Sequence, residues 1–357
     1  VDFNAIRPDL TGGSPPPAKP DYAAAIARPE RVKAELLHQF AHGKPMGEPT
    51  HWGEWDNHFR WKPGELTVIT GHNNQGKSET ALQWMLTKSV FDGWKWALYE
   101  PENEPVGEVY DQLAHALVGQ SVNPLFGNCM SQARYERALD FLFAHFFIID
   151  SEKLGEVPTP AVVFDYFRYL IAQHGVRGCF FDPWNQAYHD MQGAGEVQYL
   201  SNELTKAKRF ARQYEQCLFV SAHPVKPQTE NGKTWRCPTQ FDLSGGAMWG
   251  NKADNVLAVH RPNYLKNKQD TSVEWHAHKI KKQKLVGRPG WVSLDFRYLE
   301  NRYYLGGVCP LNDPRAVAIY DPELVASWQA APPLGPTTIP DYHPQGIRLG
   351  TATAMDF

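Results

Sequence analysis

Residues 71–78 read Gly71-His72-Asn73-Asn74-Gln75-Gly76-Lys77-Ser78 and fit the pattern G-x-x-x-x-G-K-[ST] without a mismatch. Such a motif carries chemistry only in the right local setting, and the flanks supply it. Glu65-Leu66-Thr67-Val68-Ile69-Thr70 is rich in β-branched residues and reads as a buried strand. Glu79-Thr80-Ala81-Leu82-Gln83-Trp84-Met85-Leu86 places apolar residues at helical spacing. A strand, a glycine loop and a helix put backbone N–H groups and a helix N-terminus around a polyphosphate. Lys77 then reaches the β- and γ-phosphates, and the Ser78 hydroxyl ligates Mg²⁺. The expected nucleotide-binding set is Gly71, Asn73, Asn74, Gln75, Gly76, Lys77, Ser78 and Glu79, with ATP and Mg²⁺ as the species held.

At 357 residues the chain has room for one large α/β domain with extensions, or for two small ones. A net charge of −3 excludes nucleic-acid binding through a global basic field, so any basic contact must be gathered in one loop or channel. No apolar run is long enough for a transmembrane helix, and the start Val1-Asp2-Phe3-Asn4 has no secretory core. The missing initiator Met fits a fragment or a processed start. Cys129, Cys179, Cys217, Cys237 and Cys309 are scattered without a C-x-x-C, which favours reduced thiols in a cytosolic setting and argues against a structural zinc site. A cytoplasmic protein of a bacterial or phage-infected cell is the expected setting, with the nucleoid as its working place.

Four regions are expected. Residues 1–28, with Pro15-Pro16-Pro17, read as a flexible arm. Residues 29–51 hold a short helix, with Pro29 in its first turn and Val32, Leu36, Leu37 and Phe40 as an apolar stripe, followed by a connector. Residues 52–308 alternate strand-like runs (66–70, 96–99, 146–149, 178–181, 217–221) with helical ones, which predicts an α/β core with a mostly parallel sheet flanked by helices. After Ser221 shorter strands, near 256–260, 273–279, 292–296 and 303–305, predict an antiparallel extension. Residues 309–357, where prolines return, read as a C-terminal tail.

A phosphate loop needs an acid on a neighbouring strand to hold Mg²⁺. Gly178-Cys179-Phe180-Phe181-Asp182 ends a strand in Asp182. The attacking water needs an acceptor, and Trp96-Ala97-Leu98-Tyr99-Glu100 ends a strand in Glu100, with Glu102 and Glu104 close behind. C-terminal strand ends converge on the ligand in a parallel sheet, so Glu100 and Asp182 are expected in one site. A third strand ends at His223, whose neutral imidazole would bond the γ-phosphate or the water. On local sequence alone, a histidine that merely serves its loop stays equally open.

Taken in order, these segments resemble the RecA-like motor of DnaB-type replicative helicases, nearest to Twinkle and the phage primase-helicases. The likeness spans about residues 30–306. It rests on Trp52 to Gly71, the phosphate loop, Tyr99-Glu100, Phe181-Asp182-Pro183-Trp184-Asn185 and Ser221-Ala222-His223-Pro224, with later matches at 245–257 and 279–290. The resemblance implies a RecA-like P-loop NTPase core. It also implies a ring, commonly of six subunits, around single-stranded DNA, with ATP between subunits and movement in the 5′-to-3′ sense. It casts Glu100 as the catalytic glutamate, His223 as the sensor, and the helix at 29–42 as a linker docked on the neighbour. The family's hairpin carries Lys-x-Arg, whose Arg acts in trans on the γ-phosphate; here the aligned residues are Lys282 and Lys284. Lysine lacks Arg's planar fork, so Lys284 serves, or Arg288 does in a shifted register, or activation in trans is weak. Arg261 is a further candidate near the nucleotide. No primase elements are visible, so a primase or polymerase would be a partner.

DNA contact is expected from the long polar segment 226–249. Lys233, Arg236 and Lys252 supply charge, Gly245 and Gly246 backbone amides, and Trp249 a surface for base stacking or a piece of core. Two other readings compete with a helicase: a RecA-like DNA-dependent ATPase that does not unwind, and a module whose assembly ATP merely gates. The fold alone does not choose among them.

Overall fold

The computed structural model describes residue 23 and residues 26–191, 193–230 and 234–330. It divides into two compact units, residues 1–47 and residues 48 onward. The described part of the first unit is mainly helix α1 (Pro29–His42), opened by proline in its first turn. None of its residues is buried, and Phe40 is 91% exposed. Its stripe of Val32, Leu36, Leu37 and Phe40 therefore faces out.

The second unit is built on one nine-stranded sheet in the order β11-β10-β9-β8-β1-β5-β4-β2-β3. Its strands are β1 (Glu65–Thr70), β2 (Trp96–Tyr99), β3 (Phe146–Ile148), β4 (Gly178–Phe181), β5 (Cys217–Ser221), β8 (Asn255–His260), β9 (Ser272–Ile280), β10 (Gly290–Arg297) and β11 (Arg302–Leu305). A separate small hairpin pairs β6 (Thr229–Glu230) with β7 (Thr234–Trp235). Strands β8, β1, β5, β4, β2 and β3 run parallel. Every residue of β1, β2, β4, β5 and β8 is buried, as expected where helices cover both faces.

One strand departs from expectation. The run near 256–260 does not belong to the antiparallel extension, because β8 pairs parallel with β1, Val68 opposite Val256. The reversal comes one strand later, at β9. Strand direction depends on a distant partner, which alternation along the chain does not report. The ordered chain also continues past residue 308. Helices α8 (Pro314–Tyr320) and α9 (Pro322–Ala330) follow, and Leu311, Val317, Tyr320 and Val325 join the core. Residues 331–357 lie outside the described residues.

Two apolar layers sandwich the sheet. One packs α2 (Lys77–Asp92), α3 (Gly107–Val118) and α4 (Gln132–His145) with a set of tryptophans. Trp55 stacks on Trp84 at 5.4 Å, and Trp84 meets Trp275 edge-on at 4.9 Å. This explains why the segment 52–61 precedes β1: its aromatic rings close the tryptophan layer. The other layer packs α5 (Pro160–His174), α6 (Glu196–Gln213) and the short α7 (Ala247–Lys252) around Phe164, Phe181, Phe210 and Trp249. Because β1, β2, β4, β5 and β8 share one direction, all five deliver their following loops to the same edge of the sheet.

Candidate active site

That edge holds the phosphate loop. Gly76 sits at φ 83°, and a Cβ there would lie 2.5 Å from Tyr303 Oη, which donates to Gly76 O at 3.2 Å. A Cβ on Gly71 would lie 2.7 Å from Val259 O and 2.9 Å from Lys77 Cγ. Both glycines are therefore required by close approach, and the first also by backbone conformation. Lys77 is buried at the start of α2, with Nζ 3.5 Å from His72 O. Burial lowers the pKa of its ammonium, against the pull of Asp182 and Glu102. A buried ammonium with one long carbonyl contact is well placed to take an anion.

The acids meet as the strand ends predicted. Ser78 Oγ donates to Asp182 Oδ2 at 2.5 Å across the junction of α2 and β4. Burial pushes the Asp182 carboxyl up. Glu100 is buried one residue beyond β2, and its pKa is raised to about 9 by burial and then by the Asp182 charge, while a hydrogen bond from Asn103 pulls it back. Its Oε2 is buried without a hydrogen-bond partner. A cavity of about 540 Å³ opens above, lined by Asn73, Lys77, Ser78, Glu102, Asn103 and His223 among others. Of the two acids behind Glu100, Glu102 lines this cavity, while Glu104 accepts hydrogen bonds from Ser151.

His223 Nδ1 lies 3.0 Å from Asn73 Oδ1, so the histidine after β5 touches the phosphate loop directly. Burial and the Lys77 charge lower its pKa and keep the ring neutral. Asn74 and Gln75 bind on the loop's other flank. Gln75 Oε1 accepts from the Arg261 backbone N–H at 3.3 Å, and the Arg261 guanidinium reaches Asn74 O at 3.4 Å. The same guanidinium donates to Lys268 O, Asp270 O and Tyr298 Oη. Arg261 is thus occupied in clamping residues 268–270 to the phosphate loop. Beside it, Gly76, Glu79, Phe296, Tyr298 and Tyr303 line a recess of about 200 Å³. Its aromatic walls suit a planar base. Alternation marked β10 and β11 as strands, but only the sheet order brings their rings here.

The basic hairpin lies elsewhere. Ile280, at the end of β9, pairs with Asn255 at the start of β8, on the edge opposite the phosphate loop. The length of β1, six residues, separates the two edges by about 16 Å. Lys282 Nζ pairs with Glu65 Oε1 at 3.0 Å, at the first residue of β1. Arg288 is exposed, and its backbone is fixed by Asn57 O and by His58 Nδ1. Lys284 is exposed at the tip. None of the three is placed to act on its own chain's loop.

The expected DNA set is not brought together. Lys233 lies outside the described residues. The Arg236 guanidinium pairs with Asp242 at 2.5 Å, and its carbonyl faces His72 Nε2 at 3.2 Å, beside the phosphate loop. The Gly246 N–H is used by Leu243 O at 2.8 Å, and a Cβ on Gly245 would lie 2.3 Å from Leu200 Cδ2, so these glycines serve packing at the start of α7. Trp249 is 2% exposed, donates to Ser244 O at 2.7 Å and meets Trp184 edge-on, which removes it from base stacking. Lys252 instead joins Lys208, Arg209 and Arg212 around an open groove of about 620 Å³ at the hairpin edge. Those three were missed, although they fall at near-helical spacing on α6.

No protein-family model matches the chain. Over 230 residues it is 34% identical to the Twinkle homolog protein, chloroplastic/mitochondrial, of Arabidopsis thaliana, a match covering 62% of this chain and 31% of the relative. The chain thus spans about a third of the length of that curated relative. A solved ATPase domain of the DnaB-like kind superimposes with a TM-score of 0.65 at 15% identity, covering 78% of this chain and 99% of that one. A DnaB-like replicative helicase, solved with its interactions with primase, gives 0.60 at 15% identity over 78% and 67%. The fold is that of DnaB-type RecA-like ATPase domains, and the resemblance read from the residues holds in both sequence and structure. Among the described residues no helix is long and apolar enough to cross a membrane.

Proposed function

We propose that this chain, a DnaB-type RecA-like helicase domain by likeness and fold, is an ATP-hydrolysing DNA motor that works as a ring. The observation that carries the proposal is the division of its machinery between two edges. The phosphate loop, Ser78–Asp182 and the buried Glu100 share one edge, and Lys282, Lys284 and Arg288 the other, about 16 Å away. A second copy that presents its hairpin edge to this cavity would complete the site.

The donor set fits a hard cation. Ser78 Oγ and a carboxylate oxygen of Asp182 already lie side by side, and both are oxygen ligands. Mg²⁺ held there would neutralise charge on the β- and γ-phosphates. Lys77 binds the phosphates, and Glu100 orients the water that attacks the γ-phosphorus as the bond to the β-bridging oxygen breaks, leaving ADP and phosphate. Glu100 must be ionised to do this, and positive charge entering the cavity brings its raised pKa down. His223 joins the phosphate loop, through Asn73, to β5 and the segment after it, so it is the element that would pass nucleotide state onward. Lys284 is the preferred residue in trans, because Lys282 already has a partner in its own chain.

Single-stranded DNA is the proposed track, in the 5′-to-3′ sense, and the ring is proposed to be hexameric. The exposed stripe of α1 would dock on the neighbouring subunit, and a primase or polymerase would act alongside. Cytoplasm of a bacterial or phage-infected cell is the proposed setting. The test is ATPase rate with and without single-stranded DNA, together with oligomer mass in the same buffer. Stimulation with a ring-sized mass, followed by unwinding of a forked duplex, supports the motor. Stimulation without unwinding would move the chain to the non-unwinding ATPases. A monomer whose turnover ignores DNA would remove the motor reading.

A further inference from the structure

We propose that Cys237, His276 and His278 bind a divalent cation of the zinc class, which fastens the segment after β7 to strand β9. The thiol and one nitrogen of each imidazole lie within 4.8 Å of one another. His276 and His278 are two apart on β9 and so project from one face. Cys237 comes from the opposite side, on the chain that follows Trp235.

The spacing has the dimensions of a metal site. His278 Nε2 lies 3.5 Å from Cys237 Sγ. A tetrahedral zinc bound at ordinary Zn–N and Zn–S lengths holds its nitrogen and sulfur about 3.6 Å apart. His276 Nε2 is 2.8 Å from Glu274 Oε2, so its N–H points at the carboxylate and its Nδ1 carries the lone pair. A ligating histidine is commonly held this way, oriented and made more basic by an acid behind it. One thiolate and two imidazoles select zinc or cobalt over magnesium or calcium, which need oxygen ligands. Three protein ligands leave a fourth position for water.

His278 Nε2 also lies 3.0 Å from Pro238 O, a hydrogen bond that metal binding would replace. On binding, the Cys237 thiol proton leaves to solvent and the His278 N–H proton shifts to Nδ1, so both donors present lone pairs. The site would matter beyond its own residues. Arg236 O, next to Cys237, faces His72 of the phosphate loop at 3.2 Å, and Trp235 packs against the same histidine at 5.1 Å. A cation that fixes residues 236–238 therefore steadies one wall of the loop. With 41 residues between Cys237 and His278, cysteine spacing could not reveal it.

The test uses the full chain, prepared with zinc, desalted and assayed for metal by mass spectrometry, with the metal-free chain titrated with Co²⁺. About one zinc per chain and a thiolate-to-cobalt charge-transfer band are expected. Cys237→Ser and His278→Gln should each lose both signals, and Glu274→Gln should weaken zinc about 10- to 100-fold. His38 and His42, with rings 4.5 Å apart on α1, are the control, because His42→Gln should leave the metal in place. No equimolar metal on the wild type, or no thiolate band, overturns the proposal. So does metal that survives Cys237→Ser and disappears with His42→Gln. None of these readouts requires the chain to hydrolyse ATP.

Discussion

The two edges of the parallel sheet treat charge in opposite ways. At the phosphate-loop edge Lys77, Glu100 and Asp182 are buried, their pKa values shifted mainly by desolvation, and one carboxylate oxygen of Glu100 has no partner. At the hairpin edge Lys282, Lys284 and Arg288 stand in solvent, and Lys282 leans on Glu65. Groups desolvated in advance are poised for a ligand, because little reorganisation remains when it arrives. Groups held out in water are poised for another surface. The difference teaches that the first edge is a receiving site and the second a donated one.

The strongest attempt to break this comparison is Lys77→Ala, which should lower ATP turnover about 10³-fold or more. Retained turnover would mean that the receiving edge is not where hydrolysis occurs. Glu100→Gln should lower turnover about 10²- to 10³-fold while nucleotide affinity, read by a fluorescent analogue, stays nearly constant. If Glu102→Gln has that effect instead, the acid lining the cavity is the one that handles water. The donated edge is sharpened by mixing. Lys77→Ala chains and Lys284→Ala chains, each nearly inactive alone, should regain turnover when combined, because some interfaces then pair an intact loop with an intact hairpin. No recovery would place Lys284 outside the site, with Arg288→Ala the next chain to mix.

A smaller effect tests the desolvation itself. The folded pKa of Glu100, near 9, exceeds its ordinary value of 4.5. The stability tied to its proton is thus complete below about pH 4.5 and drains away as pH rises towards 9. Melting temperature of the nucleotide-free chain should fall across that window, and Glu100→Gln should flatten the fall. An identical slope in both proteins would argue against a buried protonated acid. The smallest effect concerns DNA. Arg209→Ala with Arg212→Ala should reduce the salt slope of single-strand binding by about 0.7 for each phosphate no longer neutralised. An unchanged slope would move the track away from the groove beside Lys252.

Much of the receiving edge was legible in the sequence. The phosphate loop lies within eight consecutive residues, and Glu100, Asp182 and His223 each end a buried apolar run. In a parallel sheet such ends gather automatically. The DNA set was legible only as a long polar segment. Its residues went to different places: Trp249 into a core layer, the Arg236 side chain to Asp242, and Lys252 to the far edge. Charge and aromaticity reveal what a side chain can do, not whether a neighbour already engages it.

The sequence by itself determined the phosphate loop, the order of strands and helices, and the acids at strand ends. Each of these is written in neighbouring residues or in a short period. Tertiary structure alone decided that β8 joins the parallel set, that Arg261 is consumed as a clamp, that the hairpin sits a strand's length from its own loop, and that Cys237 faces two histidines of β9. Those outcomes depend on which strand lies beside which and in what register. Register is fixed by packing across the whole sheet, and no local stretch of chain contains it.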